Sequence, residues 1–206
     1  MKKLFKGIGI VIGIIVLLIL TAILLTPWMD KKGTTAEERQ MLLPGDELLS
    51  HPLRSVNRGI TIQATPAKIY AWIIQTGADK SGMYSYTWLE NLVGCKMAKV
   101  EQIKPEWQQL QTGDLMKMCA GDFAPPPYEV ALLVPDSVVV FGHQDKGEWV
   151  ELWTLALLPQ AGGSTRLIAR TQTNMVGGMW EIIRPISFVM EQKMLSTIRN
   201  LSESGK

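Results

Sequence analysis

The chain has 206 residues, a formal net charge of +2, two cysteines and two histidines. A balance so near neutral, with no long run of Lys or Arg, excludes the basic footprint of a nucleic-acid binder, and two histidines exclude a multi-histidine metal centre. Cys95 and Cys119 form neither a disulfide framework nor a paired zinc pattern. Both are expected free, with a bridge between them only if the domain lies outside the cytoplasm.

In chain order, residues 7–26 (GIGIVIGIIVLLILTAILLT) carry no charge. About 20 apolar residues rising ~1.5 Å each match the ~30 Å hydrocarbon core, so residues 1–28 read as a single transmembrane anchor. A cleaved secretory signal would have an apolar stretch of about 7–15 residues and a small-residue cleavage site, and this segment has neither. Lys2, Lys3 and Lys6 precede the span and Lys31, Lys32 and Arg39 follow it; the tighter first cluster places the N-terminus inside and the domain outside. Gly9 and Gly13 make a GxxxG pair through which two such helices could associate as a homodimer, and Trp28 falls where an interfacial aromatic belongs.

Residues 29–57 mix charges with Gly, Pro, Ser and Thr and read as a linker with at most a short helix over 36–42. The domain, 58–206, begins with an alternating strand at 60–64. Thr65 and Pro66 then open a helix whose apolar stripe is Ile69, Trp72, Ile73 and Ile74, and Gly77 ends it. A second helix spans 84–93 and stops at Gly94. Beyond Pro105, Trp107 and Gly113, β-rich runs recur at 115–119, 128–134, 137–142, 149–158 and 165–173, separated by turn residues, which predicts an antiparallel meander. A last helix covers 179–201, with Trp180, Ile183, Ile186, Met190, Met194, Ile198 and Leu201 near helical spacing; Pro185 should kink it or mark its true start. The predicted class is α+β, with helices against one face of an antiparallel sheet.

Five segments carry a resemblance: LPGDELL (43–49), RGITIQATPAKIYAWIIQTG (58–77), MYSYTWLENLVG (83–94), IKPEWQQLQTGD (103–114) and FVMEQKML (188–195). Together with the element order, they resemble the helix-grip domains of the START, Bet v 1 and polyketide-cyclase superfamily (SRPBCC), in an unnamed, membrane-anchored bacterial branch. The resemblance covers nearly everything after the anchor. Thr87 departs from it, standing where that branch has an acidic residue before the tryptophan. What it implies is a curved antiparallel sheet around a long C-terminal helix, enclosing a cavity for an apolar small molecule or lipid. Some members are enzymes; many only bind or carry.

No GxSxG, HExxH, CxxC or P-loop motif is present, so no catalytic residue, metal ligand or cofactor is assigned. His51 falls in the linker and His143 after a strand, where an exposed turn histidine is the simpler reading than a general base. Glu90, Glu106, Asp114 and Asp122 read as caps or solvated surface. On the strand 165–173, Arg166, Ile168 and Arg170 share one face, so Arg170 either points inward as a polar anchor for a ligand or lies on a solvated side. The candidate ligand-binding set is Trp72, Tyr84, Tyr86, Trp88, Met116, Met118, Trp153, Arg170, Met179, Trp180, Met190 and Met194, because amphipathic aromatics and flexible methionines suit a site that adapts to apolar ligands. The prolines at 125–127 stiffen a strand start, and the Asn200 glycosylation sequon at a helix end is read as chance.

These features favour a membrane-anchored binding or carrier module for a hydrophobic small molecule or lipid, in the cell membrane with its domain on the extracytoplasmic side. The alternatives are a cyclase- or aromatase-like enzyme steering its substrate with Tyr86, Glu90 and Arg170, and a structural or assembly protein with a filled cavity. The lack of a histidine or paired acids on the cavity-facing elements favours binding over catalysis.

Overall fold

A computed structural model describes residues 2–121 and 124–204, and the side chains of these apart from residues 2–6 and 8. Asp122 lies outside the described residues. Helix α1 (Lys2–Leu24) leads into a single turn, α2 (Thr26–Met29), and a short α3 (Ala36–Gln40). Strand β1 (Arg54–Ile62) is followed by α4 (Pro66–Ile73) and α5 (Thr87–Leu92). Strands β2 (Leu115–Met116), β3 (Tyr128–Val134), β4 (Val138–Asp145), β5 (Glu148–Pro159) and β6 (Thr165–Thr173) precede the long α6 (Met179–Glu203). Among the described residues, no helix is long and apolar enough to cross a membrane.

The strands form one antiparallel sheet in the order β1-β6-β5-β4-β3-β2. The meander predicted from the turn residues accounts for β2 to β6, and β1 closes the far edge against β6. With α6 laid across one face, this is a helix-grip arrangement. The direction of α6 is fixed by three contacts with β1 and its end: Arg54 to Glu181, Arg58 to Glu191, and the Gln63 amide to Glu203. The helix therefore runs alongside β1, its first turn at the Arg54 end of the sheet. It continues through Pro185, six residues after its start, so the proline does not mark its beginning.

The inner face holds the main core: Ile62, Val139, Phe141, Leu155, Leu157 and Leu167 from the sheet, Ile69, Trp72 and Ile73 from α4, and Met194, Leu195, Ile198 and Leu201 from α6. Burying each such side chain stabilises by about 1.5–3 kcal/mol. These positions alternate along the strands and recur every three or four residues on the helices, as the sequence pattern required.

Residues 29–53 are more than a tether. After α2 the chain runs beside the free edge of β1, where the Asn57 and Gly59 amides donate to the Asp30 and Lys32 carbonyls at 2.7 and 3.3 Å. That pairing covers an edge otherwise open to association. Thr35 and Glu38 then form a reciprocal capping box on α3. Leu43 and Leu49 pack on the outer face over Val138, Val140, Leu152, Ala156 and Ile168. At Gly45, φ is +95°, and a Cβ there would meet the Val140 side chain at 2.8 Å, so glycine is needed both for conformation and for the closeness of the strap to the sheet.

Candidate functional site

Arg170 is the anchor of that strap. Its Nε donates to Asn57 Oδ1 at 2.7 Å, its Nη atoms donate to the Met41 and Glu38 carbonyls at 2.9 Å, and it pairs with Asp46. The guanidinium is thus buried on the outer face with each of its three nitrogens bonded to protein. Neither sequence alternative holds: it is turned away from α6, and it is not solvated. Arg166 does the same work nearby, bonding Glu38 from its Nε at 2.7 Å.

The two cysteines also depart from expectation. Cys95 and Cys119 form a disulfide with their Cα atoms 4.7 Å apart, and the Ala120 amide donates to the Cys95 carbonyl at 2.9 Å. The bridge closes the loop that carries residues 96–118 and holds it against α5. Spacing alone left the pairing undetermined, because the loop that brings the two together has no regular pattern.

Next to this loop lies a lateral cleft of about 520 Å³ between residues 81–101 and the C-terminal half of α6. Tyr84, Tyr86 and Trp88 line it from one side, and Lys193, Thr197, Asn200 and Ser204 from the other. The loop is tied to the helix by Ser85, whose Oγ donates to the Met190 carbonyl at 3.0 Å. Tyr84 sits at φ +53°, a left-handed conformation costly for a bulky residue. What holds it there is visible: its ring packs edge-on against Trp72 with centroids 6.0 Å apart, and its hydroxyl accepts from Gln75 Nε2 at 2.8 Å. Burial pushes the Tyr84 phenol above its ordinary value, so it stays neutral. Gln75 in turn accepts from the Lys104 amide and from Gln108 Nε2, both at 3.2 Å, which pins the following loop onto α4. At the cleft, Trp88 is exposed, Lys193 stands 5.9 Å from the Tyr86 ring, and Lys99 pairs with Glu101 at 3.0 Å. The site is an amphipathic trough in which charged side chains stand beside aromatic rings.

A second polar cluster lies on the inner face at the Arg54 end of the sheet. Arg58, with its side chain 5% exposed, reaches Glu191 at 2.7 Å and Asp30 at 3.7 Å. Trp153 Nε1 donates to the other Glu191 oxygen at 2.8 Å. Tyr128 donates to Glu151, and burial together with that carboxylate pushes the phenol well above its ordinary value. Arg184 bridges Asp30 and Glu181, and Arg54 adds to Glu181.

Of the candidate set, the fold therefore brings Tyr84, Tyr86 and Trp88 together in the cleft. Trp72, Met116 and Met194 are packed in the main core, with Met118 against its margin. Trp153 joins core and polar cluster, and Met190 is half-buried behind Ser85. Met179 and Trp180 are exposed on the first turn of α6. His143 lies within β4, half-buried opposite Glu151, rather than in a turn. Glu90 is buried with Oε2 unpartnered, and burial pushes its carboxyl above the usual range, so it is neither a cap nor solvated surface. Asp114 does act as a turn cap, accepting from the Gln111 amide at 2.8 Å.

Two signals for the missed residues were present. Lys193, Thr197, Asn200 and Ser204 recur at spacings of four, three and four, one polar stripe of a helix. Arg58 has the same strand parity as Ile60 and Ile62, which places it on the inner face with them.

Fold and cleft define a helix-grip α+β protein with a lateral amphipathic trough. No protein-family profile matches the chain, and no curated protein is a significant match. Among solved structures, protein MLL2253 from Mesorhizobium loti is 16% identical, covering 74% of this chain and 99% of that one, with a TM-score of 0.45. The Aha1 dimer from Colwellia psychrerythraea is 15% identical over 75% and 99%, at 0.48. PFC0360w, an HSP90 activator from Plasmodium falciparum, is 13% identical over 71% and 94%, at 0.47. These likenesses concern the backbone arrangement and carry no activity to this chain.

Proposed function

We propose that this protein is a membrane-anchored binding module of the SRPBCC type that takes a small molecule with an apolar body and a polar end. The observation that carries the reading is the cleft of about 520 Å³. Its size lies within the usual range for small-ligand sites, and it combines three aromatics with a few placed polar groups. Tyr84, Tyr86 and Trp88 supply the apolar walls; Lys193 and Asn200 supply the polar end.

The anchor is α1. Its 23 residues span roughly 34 Å, close to the hydrocarbon thickness, and the charge-free run 7–26 fills all but residues 2–6 of it and continues two residues beyond it. The side chains of its described middle, such as Ile10, Leu17 and Leu20, face outward without protein cover. An apolar helix face without protein cover has lipid as its natural solvent. The side chains of residues 2–6 and 8 are outside the described set, so the full span is argued from the sequence. The Cys95–Cys119 disulfide supports an extracytoplasmic domain, since such bridges persist in oxidising compartments. An enzyme steering its substrate with Tyr86, Glu90 and Arg170 gains no support, because Arg170 is committed to the outer face.

Native mass spectrometry of the detergent-solubilised full chain should show a co-purifying small molecule. Binding of a fluorescent fatty-acid probe should weaken about tenfold in Trp88→Ala, the loss of one aromatic wall. Equal probe binding by parent and variant would sink the cleft as the binding site.

A further inference from the structure

Beyond the anchor itself, the first half of α6 carries an unexplained surface. Met179, Ile182, Ile186 and Val189 recur at spacings of three, four and three, so they form one stripe, and all four are exposed, Met179 at 66% and Ile186 at 55%. Val176, also exposed, lies just ahead of the helix. The opposite stripe, Glu181, Arg184, Phe188 and Glu191, is fully engaged with the body: Glu181 with Arg54, Arg184 with Asp30, Glu191 with Arg58, and Phe188 with Trp28 at a centroid separation of 5.8 Å. The orientation of this half-helix is therefore fixed, and its apolar stripe is fixed outward.

Those same contacts place this half-helix beside the end of α1. Trp28 and Asp30 stand four and six residues after Leu24, and α1 and α2 both pack against α6. If α1 spans a bilayer, as proposed above, α6 cannot leave the membrane surface without breaking the Arg184–Asp30 pair and the Phe188–Trp28 contact. Lys31 and Lys32 are exposed at this point, with the Lys32 ammonium 4.8 Å from the Trp28 ring. An indole flanked by exposed lysines is the usual composition of a headgroup-level contact, and the lysines complement anionic lipid.

We propose that Met179 to Val189 is a second membrane contact, a half-helix that lies against the bilayer beside α1 with its apolar stripe in lipid. This seats the Arg54 end of the sheet at the membrane and holds the domain in one orientation. The proposal rests on α1 being the anchor.

The test uses the full chain in phosphatidylcholine/phosphatidylglycerol vesicles, with an environment-sensitive fluorophore on Ile186→Cys or, as control, on Gln160→Cys. Gln160 follows β5 at the opposite end of the sheet, roughly 30 Å from the Glu151 end at ~3.3 Å per strand residue. The expected result is blue-shifted emission at 186, quenched several-fold more than at 160 by a lipid carrying a quencher at the headgroup–acyl boundary. A chain that fails to co-float with vesicles overturns the anchor and this proposal together. A chain that co-floats while the 186 label reads water overturns this proposal alone. A label that is blue-shifted but untouched by the lipid quencher, with cross-linking between two 186 positions, assigns the stripe to a second copy and also overturns it.

Discussion

The two halves of α6 are built from similar residues and meet opposite surroundings. From Met194 onward, Leu195, Ile198 and Leu201 are closed into the core between sheet and α4. Before Val189, Met179, Ile182 and Ile186 are exposed, while the polar residues of that half turn inward to Asp30, Arg54 and Arg58. Burial by itself thus does not follow from hydrophobicity along one helix. In the C-terminal half the hydrophobic effect fixes the helix; in the N-terminal half charge pairing does, leaving the apolar side exposed.

Glu191 marks the junction, and breaking its pairing gives a large expected effect. Arg58→Met leaves Glu191 without its cation in a buried setting, while Asp30 keeps Arg184, and the expected loss is about 3 kcal/mol of unfolding free energy. Urea unfolding of the solubilised chain reads it. A loss below that of an ordinary surface change would mean that water reaches the cluster freely.

The comparison is tested most directly by one pair of truncations. Ile198→Ala should cost about 2–5 kcal/mol because Ile198 is fully buried. Ile186→Ala should change stability in detergent by no more than about 0.5 kcal/mol. Similar losses at both positions would show that the exposed stripe is covered in solution. Near the C-terminal half, replacing both Cys95 and Cys119 with serine should cost about 3 kcal/mol, through the longer reach of the unfolded loop, and should loosen the cleft. Denaturant midpoints with and without reductant check this.

The smallest effect belongs to the N-terminal half and to acid. Hydrogen bonds from Arg54 and then Arg184 hold the Glu181 carboxyl down at about 2, below its ordinary 4.5. A carboxyl whose folded value lies below its unfolded one contributes stability at neutral pH and loses it as pH falls from about 4.5 toward 2. Glu181→Gln should therefore flatten the fall in urea midpoint across that window and leave the midpoint near pH 7 slightly lower. An unchanged slope would show that Glu181 is not what holds this end of α6 in acid.

Much of the fold was legible in the residues. Alternation gave β3 to β6 within a few residues, helical spacing gave α4 and α6, and Thr65 with Pro66 marked the start of α4. That Tyr84, Tyr86 and Trp88 lie together was legible because a short segment dense in aromatics stays together however the chain folds. Arg170, Glu90, the Cys95–Cys119 bridge and the strap over 29–53 were not, for one shared reason. Each depends on groups that only the folded chain brings together: Asn57 and Asp46 on Arg170, Cys119 on Cys95, and the outer face of β4, β5 and β6 under Leu43 and Leu49.

The sequence by itself determined the class, the order of elements and the charge-free span 7–26, because these rest on local periodicity and composition. Tertiary structure alone decided which face of β6 is inner, and it gave Arg170 to the strap rather than to a ligand. Strand alternation separates two faces without naming them, and only the packing of α6 on one side and residues 29–53 on the other makes the two unequal.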